Sequence, residues 1–234
     1  MSREELKKLT KSQIKGHWTT PVLLTLVYTV LMILVSSFQE YAYSSVMNIM
    51  AFIVVSAIGV WATIGIPNFY LEFIKKDGKA EFKDILVSSN KLLKSLIYTI
   101  VISLISIVIG IVSVFMYTGI LVGGFFSFDS LTIMATLASI IIILISVAFI
   151  IFSFAIAQTP YIILEKEDLG VFSAMKLSIE MMKGNKWKYF VLELSFLGWG
   201  ILSVITLGIG FLWLIPYISL ATTNFYKDIS INIK

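Results

Sequence analysis

The 234-residue chain is 58% hydrophobic and 14% charged, and it contains no cysteine. Average soluble domains hold about 45–50% apolar and about 25% charged residues, so this composition excludes an ordinary soluble fold and makes lipid the main solvent. Without cysteine there is no disulfide, thiolate nucleophile or cysteine-ligated metal, and the formal charge of +4 matters less than where the charges fall.

In "EELKKLTKSQIKG" (4–16), Leu6, Leu9 and Gln13 share a helical face and Gly16 ends it. The first apolar segment follows at about 18–38. It is long for a signal core and lacks an A-x-A site, so no cleavable signal is expected. Further apolar segments run at about 46–71, 92–117 and 131–164, the last with 133–157 as its buried part. Apolar blocks of this length suit membrane helices better than the two-residue alternation of barrel strands. Before the final apolar stretch, "LGVFSAMKLSIEMMKG" (169–184) places Val171, Met175, Ile179 and Met182 on one face, with Gly184 as a C-cap. The two amphipathic stretches suit either the headgroup plane or a cap packed on the bundle. The final stretch, 189–226, would be about 57 Å long as one helix, against a hydrocarbon core of about 30 Å. "TLGIG" (206–210) supplies a turn, which splits it into segments at about 187–205 and 210–226. The expected fold is all-α: a single polytopic transmembrane domain over 1–234 with about six spans and amphipathic cytoplasmic helices.

Orientation comes from the cations. Five precede the first segment (Arg3, Lys7, Lys8, Lys11, Lys15), and six lie between the second and third (Lys75, Lys76, Lys79, Lys83, Lys91, Lys94). Five more lie between the fourth and fifth (Lys166, Lys176, Lys183, Lys186, Lys188), and Lys227 and Lys234 follow the sixth. These are all 18 in the chain, and the alternate loops carry none. The positive-inside pattern therefore predicts a multi-pass protein of the cell membrane with both termini cytoplasmic. A loose threefold repeat accompanies it, with units 1–77, 78–168 and 169–234. Each unit has an amphipathic stretch, two spans and a late proline: Pro67, Pro160 and Pro216. Three proline kinks at similar depth would open a cytoplasm-facing cavity; the plainer expectation is that they end or bend helices near the interface.

Glu193 is the strongest single candidate, an acid inside an apolar run, six residues past Trp187 and so about 9 Å along the helix. Such a residue marks function by default. It also fits an ion pair with Lys188, Lys91 or Lys94, or a hydrogen bond across helices to a hydroxyl or a freed carbonyl. His17 is the only histidine and fits an interfacial side chain. No metal, cofactor or nucleic acid is expected, and no catalytic triad or metalloprotease motif can be assembled. Ser103, Ser106, Gly110 and Ser113 share a face suited to close packing within the bundle, ahead of a dimer contact. "GILVGG" (119–124) reads as a turn at a span end. Trp18, Trp187, Tyr189 and Tyr217 suit an aromatic belt.

One run carries a resemblance: "SIEMMKGNKWKYFVLELSFLGW" (Ser178 to Trp199), followed by "TLGIG", "PY" and "FY" at 206–210, 216–217 and 225–226. With the opening "LKKLTKSQIKGHW", it resembles a bacterial integral membrane family of unknown function, the domain-of-unknown-function family numbered 975. The resemblance implies a polytopic membrane protein and brings no activity, substrate or catalytic residue. Its acid in "L-[DE]-L-S-F" falls on Glu193.

Two functions are weighed. The first is a non-enzymatic scaffold, accessory or immunity-type membrane protein, whose partners are the bilayer and another membrane protein. The alternative is a small transporter or permease using a cytoplasm-facing cavity near Glu193.

Overall fold

The computed structural model describes residues 1–40, 44–123 and 128–231. All regular elements among them are helical: α1 (Arg3–Ile14), α2 (Thr19–Glu40), α3 (Ser45–Lys75), a 3₁₀ turn (Phe82–Ile85), α4 (Ser89–Gly123), α5 (Phe128–Ile156), α6 (Thr159–Glu165), α7 (Val171–Met181), α8 (Lys186–Leu194), α9 (Leu197–Ile205) and α10 (Phe211–Ser230). A short cap precedes longer helices at three places: α1 before α2 and α3, the 3₁₀ turn before α4 to α6, and α7 before α8 to α10.

By length and composition, five stretches can cross a membrane: Thr19–Ser37, Ser45–Lys75, Ser89–Met116, Thr136–Glu165 and Lys186–Ile205. Their packing explains why they need lipid. Between Ser89 and Met116 the most apolar stretch has no buried residue, and Ile107, Val108, Val114 and Phe115 all face outward. Apolar area left in water costs about 25 cal/mol per Å², so a stripe of this size must face hydrocarbon. The sixth expected segment, α10, does not meet the same measure, because Asn224, Lys227 and Asp228 occupy its second half.

The core sits at one end of the molecule. Leu6 and Ile14 of α1, Phe69, Tyr70, Leu71 and Phe73 of α3, α6, Ala174, Met181 and Met182 around α7, and Leu220, Ala221, Phe225 and Tyr226 of α10 are all buried there. Both amphipathic stretches are caps packed on this body. The buried stripe of α1 is Leu6, Thr10 and Ile14, with Leu9 and Gln13 only half-buried beside it. Ser2 starts α1 with a reciprocal capping box to Glu5. On α7 the buried face is Val171, Ala174, Met175, Ser178 and Met181, so Ile179 flanks the stripe.

Two expected continuous segments are broken. The fourth stops at Ala157–Gln158 and resumes as α6, with Pro160 in its first turn. Proline lacks an N–H and disfavours helix in the residue before it. The fifth breaks at Ser195–Phe196, between α8 and α9. The expected turn at 206–210 does form. Gly208 N–H reaches Ser203 O at 2.9 Å and Leu207 N–H reaches Val204 O at 3.0 Å, the Schellman pattern. "GILVGG" is not a turn over its described part, because α4 continues through Gly119 to Gly123; Gly124 lies outside the described residues, as does Lys234. The small-residue face of α4 is not packed in the bundle. Ser103, Ser106 and Gly110 are exposed, with only Ser113 half-buried, and a Cβ on Gly110 would meet nothing within 4 Å.

Candidate functional site

Glu193 is half-buried on α8 and tied across the interior to α10, accepting from the Thr222 hydroxyl at 3.3 Å. This is the hydroxyl partner that sequence reasoning allowed for. Two of the three expected cationic partners go elsewhere: Lys91 pairs with the Glu167 carboxylate at 2.7 Å, and Lys94 donates to the Glu167 carbonyl. No ion pair to Glu193 occurs among the described residues. Around Thr222 a polar seam continues. Tyr161 shares a hydrogen bond with Thr223 at 3.3 Å and stacks on Tyr226 with centroids 5.0 Å apart. Tyr226 donates to Glu165 at 2.9 Å, and Lys227 pairs with the same carboxylate. The seam binds α6, α8 and α10 together through groups that would be costly to bury singly.

The three prolines take two kinds of helical position. Pro67 lies inside α3, Pro216 is buried inside α10, and Pro160 opens α6. Near Pro67, Gly65 passes so close to the 3₁₀ turn that a Cβ would lie 2.9 Å from Ile85 O, and the Asn68 amide donates to Asp84 O at 2.7 Å. His17 packs its edge on Phe73 and fills the space over Gly78, which has φ +84°.

The α8–α9 break holds a residue that sequence reasoning counted only as a charge. The Lys7 ammonium donates to Ser195 O at 3.1 Å and sits 4.4 Å over the Phe196 ring. Burial, and behind it the neighbouring Arg3 charge, hold this ammonium below the usual lysine pKa. Beside it runs a cavity of about 510 Å³, lined by Lys7, Lys11, Trp18, Trp199, Leu202, Ser203, Thr206, Gly210, Trp213, Leu214 and Tyr217. Other cavities lie elsewhere on the body. One is apolar, between Phe52, Trp61 and Leu96; a smaller one lies by His17 and Asp77; a third lies by Tyr98, Thr99 and Ser106. Neither Glu193 nor any of the three prolines lines any of these four. Gln158, at the α5–α6 break, is fully buried with both side-chain polar atoms unpartnered, as is the Thr159 hydroxyl.

An all-helical body whose long apolar faces need lipid, capped at one end by polar helices, defines a polytopic membrane protein. The chain belongs to the family described as Protein of unknown function (DUF975), whose model matches residues 1–232. No curated protein and no solved structure matches it.

Proposed function

We propose that the protein is a non-enzymatic scaffold or accessory component of a membrane assembly. In this reading both termini lie on the cytoplasmic side of the cell membrane. The observation that carries it is how Glu193 is held. The acid that would serve a transport path is hydrogen-bonded to Thr222 within a seam of helix contacts and lines none of the four cavities named above. The unpacked α4 face, with Ser103, Ser106 and Gly110 outward, supports a partner helix in the bilayer, since small residues allow close backbone approach. The distribution of lysine and arginine supports the sidedness.

The test is photo-crosslinking in native membranes from a reactive residue at Ile107, which is exposed on α4. A scaffold gives a discrete protein adduct that disappears when Gly110→Leu fills the face. Adducts to lipid alone, or solute flux in proteoliposomes that Glu193→Gln abolishes, would replace this reading with the transporter.

A further inference from the structure

The groove between α1, the start of α2 and the α9–α10 hairpin has a polarity of its own. At one end stand Lys7 and Lys11, which make no ion pair among the described residues, and no acid lines the groove. Its walls are Trp18, Trp199, Leu202 and Trp213, and its far end is Thr206 and Gly210 at the hairpin turn. From Ser195, which the Lys7 ammonium touches, to Thr206 is eleven residues, or about 16 Å of helix. That is about half of a 30 Å hydrocarbon core, the depth of one leaflet. Cations at headgroup level, tryptophan walls and a one-leaflet apolar slot match the parts of one amphiphile.

We propose that this groove binds an acidic phospholipid, its phosphate at Lys7 and Lys11 and an acyl chain along Trp199, Leu202 and Trp213. Tryptophan quenching tests it directly, because three of the chain's five tryptophans line the groove. The full chain, with Trp61 and Trp187 replaced by Phe, is placed in phosphatidylcholine vesicles containing a minor share of brominated phosphatidylglycerol or brominated phosphatidylcholine. The acidic lipid should quench preferentially, with occupancy falling about fivefold on Lys11→Gln and again on Lys7→Gln. Lys83→Gln, remote from the groove, should change nothing. Equal quenching by the two lipids would overturn the proposal. So would a loss with Lys83→Gln as large as with Lys11→Gln, or relief of quenching by inorganic phosphate, which would show an anion site without lipid specificity. Circular dichroism separates a lost site from a lost fold; if Lys7→Gln unfolds, Lys11→Gln still decides.

A different observation bears on the same hairpin. Leu207 occupies the C′ position of the turn with φ +55°, where glycine is the residue that fits. Leucine is strained there, and at 94% exposure no protein contact offsets it. Ile205 and Ile209 beside it are exposed as well, and no charged residue lies between Glu193 and Lys227. The other two hairpin ends carry Gln39, Glu40 and Asp129. Length agrees. Trp18 lines the groove with Lys7, and from that level α2 runs 22 residues, about 33 Å; from Ser195, Leu207 is twelve residues away, about 18 Å.

We infer that α9 and α10 form a re-entrant hairpin, entering one leaflet and returning with Leu207 in the hydrocarbon. The chain lacks cysteine, so single-cysteine variants are clean probes. In sealed vesicles, Leu207→Cys should resist a membrane-impermeant maleimide from both sides and react only after solubilisation, whereas Ser44→Cys reacts from the side opposite Lys83→Cys. Labelling of Leu207→Cys from the Ser44 side would make the hairpin a full crossing and overturn the inference.

Discussion

The Lys7 ammonium, on the first helix, donates to the carbonyl of Ser195, 188 residues later, where α8 gives way to α9. A carbonyl at a helix break needs a donor from elsewhere, and a cation over Phe196 supplies one. The amino-terminal cap is therefore a structural part of the body. Asn224 reinforces it by donating to Thr10 at 3.0 Å and to Gln13 at 2.7 Å, as does Tyr217 by donating to Lys7 O at 3.2 Å.

Lys7→Met keeps the length of the side chain and removes the charge. It should lower stability by about 1–2 kcal/mol, the range for a hydrogen bond to a charged group reduced for partial exposure. The check is the thermal midpoint in detergent. Lys8→Met, on the outer face of α1, should leave the midpoint unchanged.

Gln158 buries a whole amide without partners. Replacing it by Met keeps the volume and removes that cost, so Gln158→Met should raise the thermal midpoint, equivalent to about 1–3 kcal/mol. A fall would mean that the amide holds a bound water or another ligand.

The contact between α3 and the 3₁₀ turn is set by close approach at Gly65. Gly65→Ala must push the Ile85 carbonyl aside and should cost about 1–3 kcal/mol. Gly59→Ala, in the same helix with open space around it, should be neutral or better by thermal unfolding.

The same contact carries a pH dependence. Burial alone would raise the Asp84 carboxyl, but hydrogen bonds from Lys76, at 2.6 Å, and from the Glu81 N–H outweigh it and hold its pKa below the usual value. A carboxyl depressed in the fold contributes stability above its unfolded pKa, about 3.9, and loses it as pH falls through the lower folded value. The midpoint should therefore drop as pH is lowered past about 4, and Asp84→Asn should flatten that drop. An unchanged acid limb in Asp84→Asn would remove this pair as its cause.

Much of this architecture was legible from local pattern. The two caps follow from 3.6-residue periodicity ended by Gly16 and Gly184, and the hairpin follows from two glycines inside a run too long for one span. What was hidden depends on distant partners. The Ser195–Phe196 break has neither proline nor glycine to announce it, and its partner Lys7 is at the other end of the chain. Glu193 was visible as an anomaly, yet its hydroxyl partner Thr222 could be named only once α8 and α10 were side by side. The proline spacing proved compatible with two different uses, because proline opens a helix, as at Pro160, as readily as it sits inside one, as at Pro67 and Pro216.

The most direct test of the account is sidedness, read from single cysteines at exposed positions. In intact cells, Lys83→Cys and Lys183→Cys should stay unreactive toward an impermeant maleimide until the membrane is opened, while Ser44→Cys reacts at once. Reaction of Lys83→Cys or Lys183→Cys in intact cells would contradict a body that gathers its cations on one face of the bilayer.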